Sequence, residues 1–152
     1  MEHNLTRFNV RVYGLLINEH RQILVADEVF KNGNRATKFP GGGLELGEGL
    51  RDGLAREYVE ETGVTISVKE HFYTTDFFQP SFFDTDSQII SVYYVCECAQ
   101  WQQIKISSRK FDFTIKEGEE AESFRWVSIT DLKNEEDINL PIDKVVVDML
   151  IN

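Results

Sequence analysis

The chain has 152 residues, of which 41% are hydrophobic and 28% charged, as expected for one globular domain spanning residues 1–152. Its 26 acidic residues against 16 lysines and arginines give a net charge of −10, which argues against a protein that binds DNA or RNA through a basic face. The longest unbroken apolar run, residues 92–96, is far too short to cross a bilayer.

The first predicted elements are strands. Residues 7–17 and 22–27 carry apolar runs on either side of a polar turn at 18–21, which predicts a β-hairpin. Residues 31–35 have the composition of a loop tip. Residues 39–43 contain a proline and three glycines, so we expect irregular backbone there.

A helix is predicted over residues 50–62, with Gly63 ending it in the left-handed conformation. The following side chains share one broad face of this helix, which we expect to be buried: Leu54, Ala55, Tyr58, Val59 and Thr62. Pro141 near the start of residues 141–151 and an apolar stripe along them predict a last helix.

The remaining segments complete an α/β fold class. Strands are predicted at 64–68, 71–78, 88–98 and 124–127, and a short helical turn begins at 128. This order predicts helices packed on a mixed β-sheet within one domain.

The N-terminus and the cysteines bear on where the protein works. Residues 1–4 include an acid and no apolar stretch, so we expect no secretory signal. Cys96 and Cys98 would point to the same face of one strand, which is a poor spacing for a disulfide. We therefore expect reduced cysteines and a cytoplasmic protein.

Three glutamates of the 50–62 helix are unfavourable for its stability. Glu57, Glu60 and Glu61 are spaced i, i+3 and i+4, so their charges lie on one stripe and repel each other. They also lie in the C-terminal half, where the helix dipole disfavours anions. A hard divalent cation such as Mg²⁺ or Mn²⁺ would offset this repulsion, because it prefers oxygen ligands. By themselves, the three glutamates equally fit a solvated acidic helix face.

The residues around these glutamates make the pattern specific. Residues 42–64 match G-x5-E-x7-R-E-U-x-E-E-x-G-U at each defined position. The nine matching residues are Gly42, Glu48, Arg56, Glu57, Tyr58, Glu60, Glu61, Gly63 and Val64. This pattern resembles the Nudix box, and the chain is identified as a member of the Nudix hydrolase superfamily, similar to MutT. Two mild departures are Tyr58, where aliphatic residues are commoner, and Gly53, where alanine is common.

The resemblance implies the Nudix fold, an α/β/α sandwich with a mixed β-sheet. It also implies a pyrophosphohydrolase that cleaves a phosphoanhydride of a nucleoside diphosphate linked to another moiety, with Mg²⁺ or Mn²⁺ as cofactor. The expected substrate is a small nucleotide, either a nucleoside triphosphate or a nucleotide of the ADP-ribose or sugar-nucleotide type. No nucleic acid or membrane partner is expected, and homodimers are common in the family.

Carried onto this chain, the family pattern assigns roles within the box. Glu57, Glu60 and Glu61 would bind the metal together with a backbone carbonyl at Gly42. Arg56 and Glu48 would orient these carboxylates, which also places Arg56 among the catalytic residues.

The general base and the substrate contacts lie partly outside the box. The base is either Glu57 or Glu120, which lies six residues before Trp126 as in family members that use a later glutamate. Arg11, Lys38 and Arg35 are candidate phosphate or ribose contacts, and Phe78 could stack on a base.

Residues 42–64 and 117–122 each carry a net charge of −4, and we expect both segments to face the metal site. The excess negative charge is then compatible with a phosphate substrate, because a bound metal ion inverts the local field. The alternative is a Nudix-fold sensor that binds nucleotide without turnover. The intact box and the short segment after Trp126 favour the enzyme.

Overall fold

Our computed structural model of the chain describes residues 4–152. Residues 1–3, which contribute to the exclusion of a secretory signal, lie outside the described residues. In chain order, the elements within 4–152 are β1 (Arg7–Leu16), β2 (Gln22–Val29), β3 (Arg35–Lys38), β4 (Gly41–Gly43), α1 (Leu50–Thr62), β5 (Ser67–Thr74), β6 (Ser87–Glu97), β7 (Ala121–Ser128) and α2 (Pro141–Ile151). Short 3₁₀ turns lie at Trp101–Gln103 and Ile129–Asn134.

The strands form two sheets. The first has the order β4-β1-β6-β5 and is mixed, because β1 runs parallel to β6 while β4 and β5 are antiparallel to their neighbours. The second is antiparallel and has the order β3-β2-β7. The longest pairing joins β1 to β6, from Arg7 opposite Ser87 to Leu16 opposite Cys96.

Each sheet contributes to two apolar clusters, because successive side chains of a strand point to opposite faces. On one face, Val12 and Leu24 pack with Leu54 and Tyr58 of α1. On the other face, a second buried cluster includes α2; its members from β1, β2 and α2 are Tyr13, Leu15, Ile23, Val25, Ile142, Val146 and Val147. The result is the α/β/α layering expected from the sequence.

Both helices have the bounds predicted from the sequence, and Gly63 ends α1 with φ of 78°. The buried face of α1 is narrower than predicted, since Gly53, Leu54 and Tyr58 are buried but Val59 is 51% exposed. No helix within residues 4–152 combines the length and apolar character that a membrane crossing requires.

Three local predictions were wrong. The predicted hairpin is split between the two sheets, and only an Ile17–Ile23 bridge joins its arms, because β4 and β6 occupy both edges of β1. Residues 41–43 are not irregular but form strand β4. Their glycines permit this pairing, because a Cβ at Gly41 would lie 2.1 Å from the carbonyl oxygen of Val12. The two segments predicted at 64–68 and 71–78 are one bulged strand, β5.

A buried ion pair joins the three strands of the second sheet. Asp27 of β2 is fully buried and accepts hydrogen bonds from Arg125 of β7 at 2.6 and 2.9 Å. It also accepts one from the hydroxyl of Thr37 on β3 at 2.7 Å. Arg125 in turn donates to Glu135 at 2.7 Å. Because these groups are removed from water, each depends on its partners for charge compensation.

Replacing Asp27 with Asn should therefore lower the free energy of unfolding by about 3 kcal/mol, since Arg125 would lose a buried charge partner. Urea titration of the wild type and the variant measures this difference. Asp131→Asn, at an exposed position, is the matched control and should leave stability near that of the wild type. Equal stability of Asp27→Asn and the control would contradict a stabilising role for the pair.

A second buried carboxyl lies at the start of α2. Asp143 accepts a hydrogen bond from the hydroxyl of Tyr93. Burial raises the pKa of Asp143 to about 6, although the Tyr93 bond and the cations Lys38 and Arg11 oppose the increase. In the unfolded chain an aspartate has a pKa of about 3.9. The folded state thus holds this proton more tightly, and the stability that the neutral carboxyl contributes is lost as the pH rises from about 4 through 6.

Asp143→Asn keeps the group neutral at every pH and should remove this loss. The free energy of unfolding of the variant, relative to the wild type, should therefore increase between pH 4 and 6 by up to about 3 kcal/mol. Urea titrations across this range measure the difference, with the exposed Asp148→Asn of the same helix as control. Parallel pH profiles for Asp143→Asn and the wild type would contradict the assignment.

Candidate active site

A cleft of about 550 Å³ opens where α1, β4 and the β2–β3 connection meet. Its walls carry acidic, basic and aromatic side chains, one asparagine and three glycines. The residues that line it are Arg11, Glu28, Phe30, Lys31, Asn32, Lys38, Gly41, Gly42, Gly43, Glu57, Glu61, Phe82, Phe83 and Glu120. The cleft thus combines residues of the 42–64 segment with Glu120 of the 117–122 segment.

Arg56 connects the box carboxylates to one another. Its guanidinium binds both oxygens of Glu48, at 2.7 and 2.9 Å, and donates to the carbonyl of Gly43 at 3.2 Å. The remaining nitrogen lies 3.2 Å from Glu57 and 3.2 Å from Glu60. The hydrogen bonds from Arg56 lower the pKa of Glu48 to about 2, so Glu48 stays ionised. Because Arg56 joins α1 to Glu48 and Gly43, which precede the helix, these hydrogen bonds fix which side of α1 faces the cleft.

Glu57 lies where β4 passes closest to α1. A Cβ at Gly42 would lie 2.5 Å from a carboxylate oxygen of Glu57, so a larger residue there would displace this carboxylate. Burial raises the pKa of Glu57, with Arg56 opposing the shift and Glu60 adding to it. The carboxylate is therefore held against the β4 backbone in a partly desolvated place.

Glu61 gives the clearest indication that a cation belongs in the cleft. Its Oε2 atom is buried and has no hydrogen-bond partner within residues 4–152. Burial raises the pKa of Glu61, and the negative charges of Glu57 and Glu28 raise it further, against the opposing effect of Lys38. A carboxylate oxygen shielded from water and from donors suits a bound hard cation, so Glu57 and Glu61 fit the metal that the box implies.

Glu60, the third carboxylate predicted to bind the metal, has a different environment. The carboxylate of Glu60 is 57% exposed and contacts Arg56 rather than the cleft. Within residues 4–152, no three acidic, histidine or cysteine side chains are already arranged to hold a metal ion. The geometry that favours a cation therefore comes from Glu57 and Glu61, beside the backbone of Gly41 and Gly42.

Two cations face these carboxylates. Lys38 is buried, and its Nζ lies 3.4 Å from Oε1 of Glu28. Burial lowers its pKa, but interaction with the Tyr13 hydroxyl and with the nearby carboxylates, Glu28 first among them, raises it more, so the ammonium stays protonated. Arg11 donates to the Tyr13 hydroxyl at 2.6 Å, and its guanidinium lies 4.2 Å from the centre of the Phe83 ring. Both cations were predicted from the sequence as substrate contacts, and both line the cleft.

The other predicted residues divide between the cleft and its surroundings. Glu120 lies at the cleft mouth, with an oxygen 3.5 Å from Nζ of Lys31. Phe78 is 54% exposed and does not line the cleft, whereas Phe82 and Phe83 do. The run of aromatic residues at 77–83 was visible in the sequence, but the loop conformation decides which of them face the cleft.

Glu28 was not predicted from the sequence, and Glu122 was expected only as part of the acidic segment 117–122. These residues are directly opposite each other on β2 and β7, beside Glu61. Burial raises the pKa of Glu122, and the charges of Glu61 and Glu28 contribute. Glu28 lines the cleft, and only the strand register shows that Glu122 lies beside it, because spacing along the chain carries no signal of that pairing.

Comparisons with known proteins agree with this fold. A sequence model of the NUDIX domain matches residues 7–149. A solved NUDIX hydrolase from Nitrosomonas europaea has a TM-score of 0.65 and 17% identity, covering 93% of this chain and 86% of its own. A MutT protein from Methanosarcina mazei Go1 has a TM-score of 0.66 and 22% identity, covering 95% and 91%.

A comparison with curated proteins gave no match. At such low identities the two solved structures establish the fold, whereas the sequence model establishes the family. Because that model spans residues 7–149 and the complete box at 42–64 lies within them, the chain belongs to the NUDIX family.

Proposed function

We propose that the chain is a single-domain pyrophosphohydrolase that depends on Mg²⁺ or Mn²⁺ and cleaves a nucleoside diphosphate linked to another moiety. The substrate is a nucleoside triphosphate or a nucleotide of the ADP-ribose type. The observation that carries this proposal is the pairing, in one cleft, of Glu57 and Glu61 with the cations Arg11 and Lys38. The two free cysteines, Cys96 and Cys98, support a reducing cytoplasmic location.

Glu57, Glu60 and Glu61, with the carbonyl of Gly42, are the proposed metal ligands. When bound, a divalent cation neutralises the diphosphate and lowers the pKa of the attacking water. Arg56 and Glu48 position the glutamates through the hydrogen bonds described above. Arg11 and Lys38 also line the cleft, and they bind the phosphate oxygens that the metal ion does not contact.

Glu120 is the proposed general base, which accepts a proton from water as the water oxygen attacks phosphorus and the anhydride P–O bond breaks. Its position at the cleft mouth supports this role, since an exposed carboxylate is accessible to water. Glu57 is the alternative base, and its contact with Arg56 makes it less available for proton transfer.

Glu57→Gln and Glu61→Gln should each lower kcat/KM by on the order of 1,000-fold, because each removes a charge that holds the cation. The assay is phosphate release from nucleoside triphosphates, ADP-ribose and sugar nucleotides in the presence of Mg²⁺. Mn²⁺ binding, measured by electron paramagnetic resonance, should weaken in both variants. Asp52→Asn, exposed in the first turn of α1, is the matched control and should retain wild-type activity and binding.

Full activity of the wild type in excess EDTA would contradict the proposed metal dependence. Tight nucleotide binding with no turnover of any substrate in the same assay would instead indicate a nucleotide-binding sensor.

Glu120→Gln should lower kcat by on the order of 100-fold and remove the acid limb of the pH–rate profile, because the variant has no carboxylate to deprotonate there. Glu117→Gln changes an exposed glutamate of the same segment and should preserve both rate and profile. A pH–rate profile of Glu120→Gln that matches the wild type would assign the base to Glu57.

A further inference from the structure

Tyr13 of β1 is a buried residue that lies beneath the cleft wall and contacts one of its cations directly. Its side chain is 6% exposed and packs in the second apolar cluster. Arg11 comes two residues earlier in the same strand, so the two side chains point to the same face of the sheet. The Nε atom of Arg11 donates a hydrogen bond to the Tyr13 hydroxyl at 2.6 Å.

Lys38 approaches the same aromatic ring from the other sheet. It lies on β3, and its Nζ atom is 5.3 Å from the centre of the Tyr13 ring, within the range of a cation–π interaction. Tyr13 therefore contacts one cation from each sheet. It binds Arg11 through its hydroxyl and Lys38 through the face of its ring.

The hydrogen-bond partner of an arginine decides how much of its positive charge is left for a substrate. The guanidinium of Arg56 binds the carboxylates of Glu48 and Glu60, which neutralise it. Arg11 donates to an uncharged hydroxyl, which orients the guanidinium and leaves its charge in place. A guanidinium that is already oriented loses less conformational entropy when it binds a phosphate group.

We propose that Tyr13 is a positioning residue that holds Arg11 and Lys38 in place to bind the phosphate oxygens of the substrate. This inference rests on the proposed function, in which both cations bind these oxygens. The hydroxyl is the decisive group for Arg11, because it fixes the Nε atom. The fork formed by the two terminal nitrogens is then oriented to bind a phosphate group.

A purely structural role for Tyr13 would give a different result. In that case removal of the hydroxyl would lower the free energy of unfolding and leave KM unchanged. If Tyr13 acts through Arg11, removal of the hydroxyl raises KM, and the increase requires the arginine to be present.

The first experiment measures kcat and KM of the full chain with Mg²⁺, on the nucleotide that the wild type hydrolyses fastest in the phosphate-release assay. Tyr13→Phe keeps the ring beside Lys38 and removes the hydroxyl from Arg11. It should raise KM about tenfold and change kcat less than about twofold, because it weakens ground-state binding of phosphate. Tyr93→Phe is the matched control, which removes a buried hydroxyl that donates to Asp143 and should leave KM unchanged.

A double-mutant cycle tests whether Tyr13 acts through Arg11. Arg11→Gln alone should raise KM at least as much as Tyr13→Phe does, and the double variant should show no further increase. Circular dichroism establishes that each variant is folded.

The nitrogen-15 NMR signal of the Arg11 Nε–H group gives a second readout that needs no substrate. Its hydrogen exchange with water should be faster in Tyr13→Phe than in the wild type, because the hydrogen bond to the phenol has been removed. Exchange in Tyr93→Phe should match the wild type.

An unchanged KM in Tyr13→Phe would overturn the proposal, and so would a further increase when this substitution is added to Arg11→Gln. An equal increase in Tyr93→Phe would overturn it as well, since the effect would then follow the loss of any buried hydroxyl. Absence of turnover by the wild type on every nucleotide would instead overturn the proposed function, so the two failures are distinguishable.

Discussion

The close approach of α1 to strands β1 and β4 is the constraint on which the cleft depends. A Cβ at Gly14 would lie 2.6 Å from the ring of Tyr58, and one at Gly42 would lie 2.5 Å from Glu57. The Tyr58 hydroxyl uses this proximity to donate to the carbonyl of Gly14 at 2.9 Å. Tyrosine at a position where the family commonly has an aliphatic residue thus adds a buried hydrogen bond. The glycines let the helix carry its glutamates against the sheet backbone.

Charge is distributed unevenly around this contact. Glu48 and Glu60 lie on the Arg56 side of α1, where hydrogen bonds compensate them. Glu57 and Glu61 lie on the cleft side, where burial leaves them only partly compensated. The acidic excess visible in the sequence is therefore of two kinds. Part is neutralised within the chain, and part favours a cation supplied from outside.

The sequence predicted most of the helical structure and the identity of the box. Periodicity, Gly63 and Pro141 gave the bounds of both helices, because these signals are local. Strand β4 escaped prediction because its glycines favour irregular backbone unless a neighbouring strand and helix require their small size. The places of Glu28 and Glu122 escaped because they depend on register between distant strands. Phe78 was predicted to stack on a base, but Phe82 and Phe83 line the cleft instead, since only the loop conformation orients these rings.

Asp27 and Glu28 are consecutive in β2 and lie on opposite faces of the second sheet. On one face, Asp27 accepts hydrogen bonds from Thr37 and Arg125. On the other face, Glu28 lies beside Lys38 and opposite Glu122. A slip of β2 by one residue would exchange the two carboxylates. It would part Arg125 from its partner and place an aspartate beside Lys38, so both faces would be wrongly paired at once. The two adjacent acids therefore specify the register of β2. A chain in which Asp27 is correctly paired also has Glu28 in its correct place in the cleft.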